Sequence, residues 1–225
     1  MEPTGNGIGG DLFAIVWIEK EKKLYGLNAS GRSPEDLTLK YFIENNFKSI
    51  PAYGPLPVSV PGCVDGWFEL HNKFGKIKMR DILSPTIKYA EDGFPVTELV
   101  SYYMKNASDN FQDYPNFKET YFIDDSTPEK GQVFKNPDLA NTLERIAKVG
   151  ADDFYKGEIA RKIAADMASN GGLLTAQDLE NYSIEEKKPL TTNYRGLEVF
   201  TNNPPGGGIM LIEMVLSVEN CTLQE

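Results

Sequence analysis

The chain has 225 residues, a formal net charge of −10 and an isoelectric point near 4.8, with 40% hydrophobic and 11% aromatic residues. That apolar content is enough for a packed core, while the acidic balance and the lack of any Lys/Arg cluster argue against a nucleic-acid or anionic-membrane binder. No apolar stretch approaches the ~18–20 residues of a membrane-spanning helix, and Phe13 to Ile18 is far too short.

In chain order, Asp11 to Ile18 and Lys23 to Ala29 read as two β-branched and apolar strands joined by a polar turn, a hairpin. Ser33-Pro34-Glu35-Asp36 has the cap, proline and acids of a helix start, which predicts a helix through about Asn45. Ile50 to Pro61 is a Pro-rich crossing segment. From there helices dominate: Val64 to Phe74, Ile82 to Glu91 stopped by Gly93, and Val96 to about Phe111. Asp113 to Asn136 is polar and turn-rich, a surface excursion. Pro137 to Val149 and Asp152 to Asn170 are two further helices, and Asn170-Gly171-Gly172 is a stop. Thr175 to Leu179 is a short capped helix. Ser183 to Glu186, Leu190 to Tyr194 and Leu197 to Thr201 read as strands, and Ile209 to Val218 as a last helix. The order predicts one α+β domain over residues 1–225, its sheet built from the two ends of the chain.

Single motifs carry little chemistry. Gly5-Asn6-Gly7-Ile8-Gly9-Gly10 fits G-x-G-x-x-G, but a dinucleotide site needs a strand before and a helix after it. Here a hairpin follows, so the glycines serve loop geometry and no cofactor is expected. His71 is the one histidine and lies in an apolar helix pattern, which reads as a core or helix-surface residue. With a single histidine no transition-metal site is expected, and Cys63 and Cys221 read as reduced, buried thiols. Pro204-Pro205-Gly206-Gly207-Gly208 precedes a helix; it is either an anion or oxyanion cradle of free N–H groups or a sharp strand-to-helix turn.

The punctuation as a set resembles the γ-glutamyltransferase (γ-glutamyltranspeptidase) family. The blocks are Glu2-Pro3 with Gly7 to Phe13, Asn28-Ala29-Ser30-Gly31-Arg32-Ser33-Pro34, Val60 to Trp67, Ala90 to Val96, Phe154 to Gly157, Asn170 to Thr175 with Asp178-Leu179 and Tyr182, Tyr194-Arg195-Gly196, and Pro204 to Gly208. They fall in family order along nearly the whole chain. The resemblance implies part of an αββα N-terminal nucleophile hydrolase sandwich. It also implies an enzyme whose precursor cleaves itself before a threonine. That threonine hydroxyl then attacks a γ-glutamyl amide, with its own α-amine as base, and the acyl-enzyme passes its acyl group to water or to an amine. A free α-amine titrates near neutrality, so no histidine is required.

By the same resemblance, the chain ends before the cleavage site and lacks the family's N-terminal helical segment. The nucleophile would then come from the small subunit of the same precursor, and residues 1–225 alone would be inactive. Thr191, Thr192 and Thr222 do not sit in a cleavage-site context. The expected substrate is a small γ-glutamyl compound such as glutathione. Family members carry an arginine for its α-carboxylate at the position where this sequence has Ser30. Arg32, two residues on, faces the same side of an extended segment and is the candidate substrate-binding residue, or else a structural arginine paired with an acid. This Ser-Gly-Arg variant is similar to a divergent branch that includes amidases for other small acids. That leaves two alternatives: a related amidohydrolase for another acyl amide, and an inactive truncated non-enzyme.

Overall fold

The computed structural model describes residues 3–5, 7–184, 187–219 and 221. Among them are six strands and ten helices in mixed order, an α+β arrangement. The chain divides into two compact units, one of Met1–Gly7 with Phe74–Ile159 and the other of Ile8–Lys73 with Ala160–Glu225.

The second unit holds both hairpins. Strands β1 (Leu12–Ile18) and β2 (Lys23–Ala29) pair antiparallel from Leu12 opposite Ala29 to Ile18 opposite Lys23. The turn between them is tight, with Lys22 at φ 49°. Strands β5 (Leu190–Tyr194) and β6 (Leu197–Thr201) form a second antiparallel pair around Arg195-Gly196, both at positive φ. The expected joint sheet is thus two separate two-stranded sheets.

Helix α2 (Cys63–Phe74) packs on the first hairpin through a glycine: a Cβ on Gly66 would stand 2.9 Å from the Ala29 Cβ and 3.1 Å from a Leu12 methyl. Cys63, Val64, Leu27 and Ala29 are buried there. Helix α9 (Ala176–Glu180) starts on a capping box. Thr175 accepts the Asp178 N–H, and the Asp178 carboxylate accepts the Thr175 N–H and hydroxyl. Helix α10 (Gly208–Glu219) follows β6 and leaves Ile209, Met210, Leu211, Met214, Leu216 and Val218 exposed.

The predicted helix from Ser33 to Asn45 is shorter. Only α1 (Leu39–Glu44) is helical, capped by the Thr38 hydroxyl. Ahead of it, Pro34 to Leu37 form a turn closed by the Leu37 N–H on the Pro34 carbonyl at 3.1 Å, and the Glu35 N–H is taken by the Asp178 carboxylate at 2.9 Å.

In the other unit, α3 (Met79–Asp92) packs on α6 (Pro137–Val149), which buries Ala140, Leu143 and Ile146 at helical spacing. The Asn136 side chain caps α6 by accepting the Leu139 N–H, with Pro137 in its first turn. Helix α4 (Glu98–Phe111) starts on a Thr97 cap. The stretch from Asp113 to Asn136 is more than a surface excursion. It contains α5 (Phe117–Tyr121) and strand β4 (Val133–Phe134), which pairs with β3 (Phe94–Pro95). Phe134 joins Val96 and Met104 in a small core with Tyr121 and Ile123 against it.

The helix expected from Asp152 to Asn170 is two: α7 (Ala151–Tyr155) and α8 (Glu158–Ser169). Asp153, only 5% exposed, takes a bidentate pair of bonds from Arg145 at 2.9 and 3.0 Å and caps the Glu158 N–H at 3.1 Å. A Cβ on Gly157 would stand 2.3 Å from that carboxylate, so the break needs glycine. The stop at Asn170-Gly171-Gly172 is as expected: Gly171 lies at φ 76° and the Gly172 N–H returns to the Met167 carbonyl. Among the described residues no helix is long and apolar enough to cross a membrane.

Candidate functional site

The segment from Asn28 to Arg32 runs out of the end of β2 and is held by a series of polar contacts. Asn28 is buried, and its side-chain oxygen accepts the Ser30 N–H at 2.9 Å and the Ser30 hydroxyl at 2.7 Å. Asparagine often builds such a turn, because its short side chain stands in for a backbone carbonyl. The Asn28 amide nitrogen donates to the Pro204 carbonyl at 3.0 Å. The Gly31 N–H donates to the Asp11 carboxylate at 3.1 Å, and the Arg32 carbonyl accepts the Val60 N–H at 2.9 Å.

Two glycines make the close approach possible. A Cβ on Gly31 would fall 1.6 Å from the Val60 oxygen, and one on Gly62 would fall 2.1 Å from the Ala29 oxygen and 2.3 Å from the Tyr182 hydroxyl. Backbone therefore lies directly on backbone. Tyr182 reaches in from beyond α9, and its hydroxyl donates to the Ser30 carbonyl at 3.4 Å. Burial pushes the Tyr182 hydroxyl well above the ordinary phenol range, with the nearby Asp65, Asp11 and Cys63 adding to the effect. It stays a neutral donor. Burial, helped by the Asp11 charge, also pushes the Cys63 thiol up, so Cys63 is a poor nucleophile at neutral pH.

These residues line an open cleft of about 190 Å³. Its lining joins Asn28, Ser30, Gly31 and Arg32 with Pro204 and Pro205, and Tyr182, Ser183 and Lys187 complete it. The lining is mostly polar and carries two cations, Arg32 and Lys187, which suits a small anionic group. Lys187 was not anticipated, and no sequence motif marks it. Of the two readings of Pro204 to Gly208, the sharp turn has direct support: a Cβ on Gly208 would lie 2.0 Å from the Asn202 carbonyl oxygen. The Pro204–Pro205 peptide is cis.

The other residues singled out in the sequence fall elsewhere. His71 is half-buried in α2. Thr191 and Thr192 lie in β5, while Thr222 and the expected strand residues Glu185 and Glu186 lie outside the described residues. The glycine run before β1 is followed by the β1–β2 hairpin and not by a helix. Cys63 is buried as expected, whereas Cys221 is exposed. Among the described residues no group of three or more His, Cys, Asp or Glu side chains could hold a metal ion.

This α+β framework is that of the N-terminal nucleophile hydrolases. It matches the crystal structure of Helicobacter pylori γ-glutamyltranspeptidase with a TM-score of 0.92 at 30% identity, over 99% of this chain and 65% of that one. It matches a cephalosporin acylase from Bacillus halodurans with a TM-score of 0.94 at 37% identity, over 100% of this chain and 43% of that one. The γ-glutamyltranspeptidase family profile matches residues 1–225, and the chain belongs to that family. Curated relatives include the glutathione hydrolase proenzymes of Bacillus subtilis strain 168, 32% identical over 100% of this chain, and of Pseudomonas aeruginosa, 33% identical over 97% of it. The chain spans 39% of the length of each.

Proposed function

We propose that residues 1–225 are part of the large-subunit region of a γ-glutamyltransferase or glutathione hydrolase, and that Arg32 binds the α-carboxylate of the γ-glutamyl donor. The observation that carries this is the position of Arg32 in a small polar cleft, on a segment whose backbone is fixed by Asn28, Asp11, Val60 and Tyr182. A guanidinium offers a planar fork that pairs two carboxylate oxygens at once, and a rigid backbone beneath it lowers the entropy lost on binding. The names of the relatives, glutathione hydrolase proenzymes, support glutathione-like donors.

In this reading the nucleophile is the N-terminal threonine of a small subunit cut from the same precursor, outside these 225 residues. Its hydroxyl attacks the γ-glutamyl carbonyl and its α-amine takes the proton. The amine product leaves with a proton, and water or an acceptor amine then cleaves the ester. The contribution of this chain is to bind and orient the donor, and the exposed apolar side chains of α10 are a surface for the small subunit to cover.

The test is kinetic. In the full-length protein, with a chromogenic γ-glutamyl anilide as donor and a glycyl dipeptide as acceptor, Arg32→Ala is expected to lower kcat/KM by about 100-fold, from loss of a charge-assisted bidentate pair. Loss of less than about threefold would remove Arg32 from the site. A second reading, an amidohydrolase for another small acyl amide, is favoured by the likeness to the cephalosporin acylase. It predicts turnover of a non-glutamyl acyl amide at a kcat/KM above that of the γ-glutamyl anilide.

A further inference from the structure

We propose that Asn28 is a positioning residue that keeps the Arg32 segment in register with the Pro204–Gly208 loop, and thereby sets how a donor anchored at Arg32 presents its acyl carbon. The proposal rests on the reading of Arg32 given above.

Asn28 works in two directions at once. Its side-chain oxygen accepts two bonds from Ser30, which shape the turn leading to Arg32. Its side-chain nitrogen donates to the carbonyl of Pro204, 176 residues later and also part of the cleft lining. The other bonds described for the segment run to Asp11, Val60 and Tyr182. The Asn28 bond ties the segment to the Pro204 end of the cleft lining.

The chemistry selects asparagine. Aspartate has the same shape and keeps the acceptor for Ser30 but cannot donate when ionised, and a carboxylate facing a carbonyl oxygen is repelled. Asn28 is 9% exposed, so water replaces a lost bond poorly. If the two segments part, the anchored donor shifts relative to the reacting atoms, and acyl transfer is sensitive to misplacement on the order of 1 Å. The expected defect therefore lies in kcat for anchored donors, whereas a merely structural defect would reduce all donors alike.

A double-mutant cycle in the full-length protein decides this. Wild type, Asn28→Asp, Arg32→Ala and the double variant are compared with γ-glutamyl p-nitroanilide and with 4-aminobutyryl p-nitroanilide, the same donor without the α-carboxylate. Asn28→Asp is expected to lower kcat/KM about tenfold for the γ-glutamyl donor, mainly through kcat, and by about twofold or less for the other. In the Arg32→Ala background the Asn28→Asp effect should shrink to about twofold or less. Equal loss with both donors, additivity in the cycle, or no loss at all overturns the proposal while leaving Arg32 in its role. An Arg32→Ala variant with undiminished preference for the γ-glutamyl donor overturns the Arg32 reading and this proposal together. Should Asn28→Asp fail to accumulate as folded protein, Asn28→Ala, which removes the donor together with the acceptor, carries the same cycle to the same outcomes.

Discussion

The carboxylate of Asp178 accepts the backbone N–H of Glu35 at 2.9 Å, while its second oxygen closes the capping box with Thr175. One side chain thus caps α9 and anchors the chain just beyond Arg32. Burial acts to raise the Asp178 pKa, but the Thr175 hydroxyl and the N–H groups of Glu35 and Thr175 outweigh it, and the carboxyl is held below the usual range.

Asp178→Asn is accordingly expected to cost about 1–2 kcal/mol at pH 7, because the amide keeps one acceptor oxygen but loses the charge and the second acceptor. The sign follows from the lowered pKa: the stabilisation is present above the ordinary carboxylate pKa near ~4 and is lost as pH falls through the depressed native value. Urea unfolding of both proteins at pH 7 and at about pH 2.5 checks this; a difference that persists undiminished in acid would count against it.

Tyr182 gives the opposite limb. Its native pKa is raised, so its contribution is full below the ordinary phenol pKa near ~10 and fades as pH rises above that. Wild type is expected to lose stability between about pH 9 and 11 more steeply than Tyr182→Phe, in denaturation midpoints taken across that range. Parallel curves would mean that the hydroxyl is solvated.

Gly31→Ala is the harshest small substitution in the site. The new methyl would lie 1.6 Å from the Val60 oxygen, a distance no rotamer can relieve, so the backbone must move. A loss of about 3 kcal/mol or more is expected, with Arg32 displaced and donor turnover abolished. Near-native unfolding midpoints in this variant would show that the two backbones are not in contact.

In the other unit, Asp153→Ala removes a buried bidentate partner of Arg145 and the cap of α8 together. It is expected to cost about 2–4 kcal/mol in chemical denaturation. A cost under about 1 kcal/mol would mean that the ion pair and cap offset little more than their own desolvation.

Residues 1–225 expressed alone are expected to bind a hydrophobic dye and to self-associate, because α10 presents Met210, Met214 and four further large apolar side chains to solvent. Sedimentation and dye fluorescence test this. A monodisperse, dye-silent protein with one cooperative unfolding transition would contradict it.

Much of the local architecture is legible in the sequence where local chemistry decides it. Apolar, β-branched runs and a polar turn place β1 and β2, and Asn136-Pro137 starts α6 at the residue expected. Where the expectations fail, contacts outside the local pattern accompany the change: a turn at Pro34 to Leu37 carries the bond from Glu35 to Asp178, and Asp153, held by Arg145, caps a new helix start at Glu158 after Gly157. Phe134 gives no periodic signal, because its strand is only two residues long. Arg32 stands out through its sequence frame. The contacts of Asn28 with Pro204 and of Tyr182 with Ser30 join residues 176 and 152 apart, and no short-range pattern encodes them.

The seating of Gly31 on Val60 and Gly62 on Ala29 also bears on how such a site can change over generations. The path of the main chain is fixed by two residues that accept no side chain, while the neighbouring Arg32 is exposed. Under the proposal made for Arg32, preference for one acid over another drifts by exchange of the side chain at position 32, with the scaffold beneath it inherited unaltered.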